Sequence, residues 1–168
     1  MRRVIRRRAA IAIIGICIGL VALGAVVFLP PPNEMRALKA DLASAAVQVG
    51  SGSRVPLVAV APFEWDRVYV FGPYTSLDVV KGRLGFDWVP TSRFDAWLWG
   101  DLFMPNDGFS LVVFVRGERD VTGYGVVSPY EGPNVYLDSD FVAMVRNTAA
   151  FEVARDEAGS GWKLTPPE

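Results

Sequence analysis

The sequence contains no histidine and one cysteine, Cys17. Without histidine, the chain cannot build a Ser-His-Asp triad, a Cys-His pair or an imidazole-ligated metal centre. One cysteine closes no internal disulfide and furnishes no thiolate zinc cluster. No serine sits in a Gly-x-Ser-x-Gly elbow. Gly-Tyr-Gly at 123–125 has neither the third glycine nor the following helix that a phosphate cradle needs. Enzymatic chemistry would therefore fall to carboxylates, Ser/Thr, Lys or Tyr. The expectation is that the protein is not an enzyme and carries no cofactor or metal.

Charge is present but segregated. The 168 residues carry 17 Lys+Arg against 18 Asp+Glu, a formal net charge of −1. Five arginines (Arg2, Arg3, Arg6, Arg7, Arg8) crowd into residues 1–8, a basic tip without an acid. The next 21 residues, Ala9–Leu29, carry no charge. As a helix at about 1.5 Å per residue they would match a bilayer core of about 30 Å. The flanking arginines place the tip in the cytoplasm. With the tip set aside, 12 basic residues remain against 18 acids, so the part beyond residue 29 carries −6. Such a domain repels phosphates, which argues against nucleic acid as a partner. The arginine cluster suits anionic lipid headgroups instead.

Three readings compete for residues 9–29. A retained transmembrane signal anchor is preferred, making residues 9–29 a partner of the lipid bilayer. A cleaved signal peptide has a shorter apolar region, about 7–15 residues, and Ala22-Leu23-Gly24 is a poor cleavage site. A lipoprotein would need a small residue before Cys17, where Ile16 stands. Gly15, Gly19 and Gly24 also leave room for a helix-packing face. The resulting localisation is the inner membrane, single-pass, with the C-terminal part periplasmic or extracellular.

Residues 30–54 read as a linker and helix. Pro30-Pro31-Pro32 ends the span, and Asn33 with Glu34 suits a helix start. Met35, Leu38, Leu42, Ala45 and Val49 recur at steps of three and four, predicting an amphipathic helix over 34–48. That helix serves as a stalk or, preferably, packs on the domain's own sheet. Gly50-Ser51-Gly52-Ser53 follows as a flexible link.

Residues 55–164 form the expected domain, and 165–168 a tail. Val55–Ala61 and Arg67–Phe71 read as strands. Thr75 or Ser76 caps a helix, SLDVVKGRL, ended by Gly85. Asp95–Phe103, Phe109–Val115 and Val121–Val127 continue as strands, joined by turns at Pro105–Gly108 and Arg116–Asp120. Gly123 and Gly125 weaken the last of these or mark a bulge. Asp140–Arg146 reads as a second short helix, and Phe151–Ala154 and Trp162–Leu164 as final strands around a turn at 156–161. The fold class is α+β, a small antiparallel sheet with short helices on one face, preceded by the transmembrane helix.

Two kinds of candidate site stand out. Glu64/Asp66 and Asp138/Asp140 place acids two residues apart, on one face if on a strand, which suits a cation or acid–base work. Neither segment has the oxygens of a full calcium loop, and caps or ion pairs explain both. Five tryptophans fall in one small chain. Trp97 and Trp99 share a strand face, and Trp65, Tyr69 and Phe71 share another. They either form a platform for a sugar or peptide or fill the core.

The stretch FEWDRVYVFGPYTSLDVVKGRLGFDW (Phe63–Trp88) resembles a motif of uncharacterised bacterial exported or membrane-anchored small-domain proteins. There a Trp-Asp-x-x-Tyr/Phe strand ending in Phe leads to a Pro-Tyr-Thr turn and a short helix ending in Leu-Gly. The strand at Leu111–Val115 with its Arg-Gly-Glu-Arg turn, and Asp140-Phe141, fit the same group. The resemblance implies location and fold rather than an activity. It points to Trp65, Asp66, Tyr69, Phe71, Pro73, Tyr74 and Thr75. Asp66 would then receive hydrogen bonds from the Tyr74/Thr75 turn and pin strand to helix. A second similarity links Thr75–Gly85 to the helix of small outer-membrane assembly lipoproteins, although strands precede it here and no lipobox is present.

The functional expectation is an envelope-associated interaction module that could take an envelope protein partner. One alternative is a domain binding a peptide or cell-wall component through Trp65, Asp66, Tyr69, Tyr74, Thr75, Trp97 and Trp99. The other is a carboxylate enzyme.

Overall fold

The most strand-like run of the sequence, Phe109–Val115, supplies the strand around which the first sheet is organised. A computed structural model describes residues 35, 37–89, 109–127, 135–138, 140–156, 159 and 161–167. The expected strand at Asp95–Phe103, its turn at 105–108, and Trp97 and Trp99 lie outside the described residues, as do Asn33 and the expected span at 9–29. Among the described residues, no helix is long and apolar enough to cross a membrane.

In chain order the elements are α1 (Leu38–Val49), β1 (Arg54–Pro56), α2 (Leu57–Val60), β2 (Arg67–Phe71), α3 (Leu77–Leu84), β3 (Ser110–Arg116), β4 (Asp120–Val127), β5 (Val135–Leu137), β6 (Phe141–Val145), β7 (Ala150–Arg155) and β8 (Trp162–Thr165). The class is α+β. Among the described residues the strands form two four-stranded sheets rather than one, ordered β4-β3-β2-β6 and β1-β7-β8-β5. The first sheet is antiparallel throughout, whereas β5 runs parallel to β8 in the second.

Both faces of the first sheet are buried, which explains an uninterrupted apolar strand where a half-exposed one would alternate. Val112 and Phe114 of β3 join one cluster with Val68, Val70, helix α1 and the inner face of the second sheet (Phe151, Val153, Leu164). Leu111, Val113 and Val115 join the other with Tyr69, Phe71, Tyr124 and Val80 and Leu84 of α3. Helices therefore lie on both sides of the first sheet, not on one.

Helix α1 packs on the domain's own sheet, the preferred expectation for it, but it starts later than expected. Leu38, Leu42 and Ala46 are fully buried in the first cluster, so the helix contributes to the core. The compact unit accordingly runs Pro32–Glu168. The helix starts at Leu38, and ahead of it the Met35 amide donates to the Tyr124 carbonyl on β4 at 2.6 Å. The expected flexible link is also held. Gly52 donates to the Val153 carbonyl at 2.8 Å, and Val153 donates to that of Ser53 at 2.9 Å.

Gly123 and Gly125 permit this arrangement. A Cβ on Gly125 would stand 2.8 Å from Leu38 Cδ2 and 3.0 Å from the Met35 carbonyl oxygen. One on Gly123 would stand 2.8 Å from Phe63 Cζ. The expected bulge is present: the β3–β4 register shifts between Phe114 and Val115, leaving Thr122 as the extra residue.

Two more elements change identity. Val55–Ala61 is not one strand: it holds the last two residues of β1 and then the helical turn α2. Asp140–Arg146 contains strand β6, not a helix, and β6 pairs along all five residues with β2. Helix α3 matches the expectation closely. Ser76 Oγ accepts the Val79 amide at 3.4 Å, Gly85 closes the helix in the left-handed region at φ 80°, and Asp78 and Lys81/Arg83 sit at the ends that suit the helix dipole.

Candidate functional site

The segment Phe63–Thr75 carries most of the candidate residues, and the structure distributes them over two faces and a turn. Trp65 is 1% exposed and donates from Nε1 to the Ala61 carbonyl at 3.1 Å. Its ring meets Phe114 edge-on at 5.3 Å in the first cluster. Tyr69 and Phe71 lie in the second cluster, stacked on each other at 6.4 Å. Trp65 therefore does not share their face, because it precedes β2 and the chain turns before the strand begins. Trp65 and Tyr69 fill the core and form no surface platform.

Asp66 has a different partner from the expected one. Its carboxylate accepts the Gly117 amide at 2.6 Å, and Arg67 donates to the Gly117 carbonyl at 2.6 Å. Two adjacent residues at the start of β2 thus grip both backbone groups of the β3–β4 turn, where Gly117 adopts φ 60°. Asp66 pins this hairpin rather than the helix entry. Thr75 serves the Gly72–Thr75 turn, donating from Oγ1 to the Gly72 carbonyl at 2.8 Å.

Tyr74 is the aromatic candidate at the surface among the described residues, 61% exposed. It is also the one non-glycine with positive φ among the described residues, at 62°. A bulky residue in that region is strained unless its surroundings impose it.

The paired acids lie among basic and backbone partners. Glu64 and Asp66 are both exposed, with Arg116 Nη1 at 4.0 Å from Glu64. Arg116 makes its short contacts with Asp120, at 2.5 Å from Nη2 and 3.0 Å from Nε. The hydrogen bond to Asp120 and then its charge, with Glu64 and Asp66 adding to them, hold the Arg116 guanidinium above its ordinary value. Asp138 pairs with Lys163, and Asp140 lends its carbonyl to the Gly72 amide at 2.9 Å. Among the described residues, no group of three or more acidic or cysteine side chains is placed to hold a metal ion.

Two features were missed in the sequence. Arg146 clamps the segment before β2: its Nη1 reaches the carbonyls of Phe63 and Trp65 at 3.0 and 3.3 Å, and its guanidinium lies 5.4 Å from the Trp65 ring centre. No local pattern signals this contact across about eighty residues. The second is strand β6, which forms an edge of the first sheet and is wholly apolar. The Gly72–Asp140 and Arg146–Asp66 backbone bonds bracket its pairing with β2. By the alternation of an antiparallel ladder, Phe141, Ala143 and Val145 then turn their backbone groups away from β2.

No family model matches this chain, and no curated protein or solved structure matches it either.

Proposed function

We propose that the protein is a single-pass, membrane-anchored chain whose exported domain is an envelope-associated interaction module. The observation that carries the reading is the charge layout: five arginines, then 21 uncharged residues, then a chain of −6. A helix of this length and polarity is stable across a bilayer, and its flanking charges favour a cytoplasmic N-terminus. The packing favours association over a deep small-molecule site. Trp65 and Tyr69 are consumed by the core, at 1% and 6% exposure, and the carboxylates of Asp66, Asp120 and Asp138 are held by backbone, arginine and lysine partners.

The test expresses the full chain in a Gram-negative bacterium. The protein should stay in membranes washed with alkaline carbonate, and protease added to spheroplasts should digest the domain. Intact mass should retain the N-terminal residues. A soluble carbonate fraction, or a mature chain starting beyond the apolar run, overturns the anchored reading.

One observation favours a second reading, recognition of a peptide or glycan. Tyr74 holds an exposed aromatic ring on a backbone at φ 62°, a costly conformation of the kind that clusters at ligand-binding positions. Tyr74→Gly should then abolish cell-wall or peptide retention while raising thermal stability.

A further inference from the structure

We infer that β6 is a self-association seam, pairing antiparallel with β6 of a second copy of this chain about a two-fold axis at Ala143. The inference rests on the interaction-module reading and deepens it by naming the partner.

An exposed strand edge is a template for another strand, and proteins normally blunt it with charge, proline, shortness or cover. Three of the four sheet edges are blunted in these ways. β1 ends in Pro56 and carries Arg54 paired with Glu152. β5 has three residues. β4 is met on its outer side by the Met35 amide, which bonds the Tyr124 carbonyl. Among the described residues β6 has none of these devices: Phe-Val-Ala-Met-Val is uncharged and free of proline and glycine, and Val145 is 54% exposed.

The sequence Asp140–Arg146 is complementary to itself when reversed about Ala143. Phe141 then faces Val145 of the copy, an aromatic beside a β-branched residue, and Val142 faces Met144. At either end Asp140 comes opposite Arg146 of the copy, so unlike rather than like charges meet on both sides of the axis while the Arg146 Nη1 stays on the Phe63 and Trp65 carbonyls. Backbone parity agrees with this register. Ala143 presents its N–H and C=O outward, so Ala143 and its copy form a hydrogen-bonded pair. The Val145 carbonyl already accepts the Thr148 and Ala149 amides at 3.1 and 2.9 Å. The seam therefore holds four backbone bonds: two between the Ala143 residues, and one from each Val145 amide to a Phe141 carbonyl. So short a seam is weak in dilute solution, and confinement of both copies to one membrane plane strengthens it by raising effective concentration.

The experiment uses the full chain in its membrane, with Cys17→Ala removing the native thiol. Ala143→Cys puts a thiol on the axis, where the paired Cα atoms would be about 5.5 Å apart. Mild oxidation should give a disulfide-linked dimer from Ala143→Cys and little from Val58→Cys, whose position is also exposed, at 41%. Adding Val145→Lys, which brings charge to the edge without touching the core, should cut the crosslinked yield about ten-fold. Its melting temperature should stay that of the parent. Equal crosslinking at positions 143 and 58, or a yield unaffected by Val145→Lys, overturns the seam. The crosslink reads the pairing, and carbonate extraction of the same membranes reads the anchor, so failure of either is distinguishable.

Discussion

Strands β3 and β6 flank the same neighbour, β2, both antiparallel to it, and both are almost entirely apolar. Leu111 to Val115 of β3 are at most 1% exposed, whereas β6 leaves Ala143 and Val145 at the surface. The difference is what lies beyond each. β3 has β4 on its far side and a hydrophobic cluster on each face. β6 has no further strand among the described residues. Apolar composition is thus a packing requirement in β3 and a feature open to a partner in β6.

The sharpest way to break that comparison is to place the same charge in both strands. Val113→Lys buries an ammonium between β2, β4 and the second cluster, which costs several kcal/mol. The full chain in detergent should then lose its cooperative unfolding transition. Val145→Lys should change unfolding free energy by no more than about 0.5 kcal/mol, the usual range for surface positions. Equal losses in the two variants would mean that β6 is as enclosed as β3.

An intermediate effect is expected where β4 meets helix α1. Gly125→Ala forces Leu38 and the Met35 backbone to move, and overpacking of this kind costs about 1–3 kcal/mol in denaturant unfolding. A neutral outcome would show that α1 is not held against β4 at this point.

The smallest structural effect comes from the turn beyond β3. Asp66→Ala removes the acceptor of the Gly117 amide at an exposed site, a loss of about 1 kcal/mol. Hydrogen exchange at Gly117 should accelerate while exchange in the middle of β3 does not.

These contrasts also explain how much of the fold was legible. β2, β3 and β4 were visible as runs of branched and aromatic residues between clear turns. Helix α3 was visible because its signals are local: Ser76 bonds an amide three residues on, and Gly85 adopts a conformation that costs glycine little. β6 read as a helix because Asp140 resembles a cap and Ala143 and Met144 favour helices. Pairing with β2 overrode that preference. Among the candidate residues, Trp65 and Tyr69 were recognised as aromatic but not as members of opposite clusters. Asp66 was recognised as a strand-start anchor, but its partner is fifty-one residues away. Arg146 was not recognised at all.

The sequence by itself determined the division of charge along the chain, the absence of histidine chemistry and the elements whose boundaries are set by caps and turns. Those properties depend on composition or on neighbours within a few residues. Only the tertiary structure decided that the strands separate into two sheets, that α1 completes the core, that Trp65 points away from Tyr69 and that β6 lies at an edge. Whether a strand is central or peripheral depends on what pairs with it from distant parts of the chain, and five apolar residues look the same in either position.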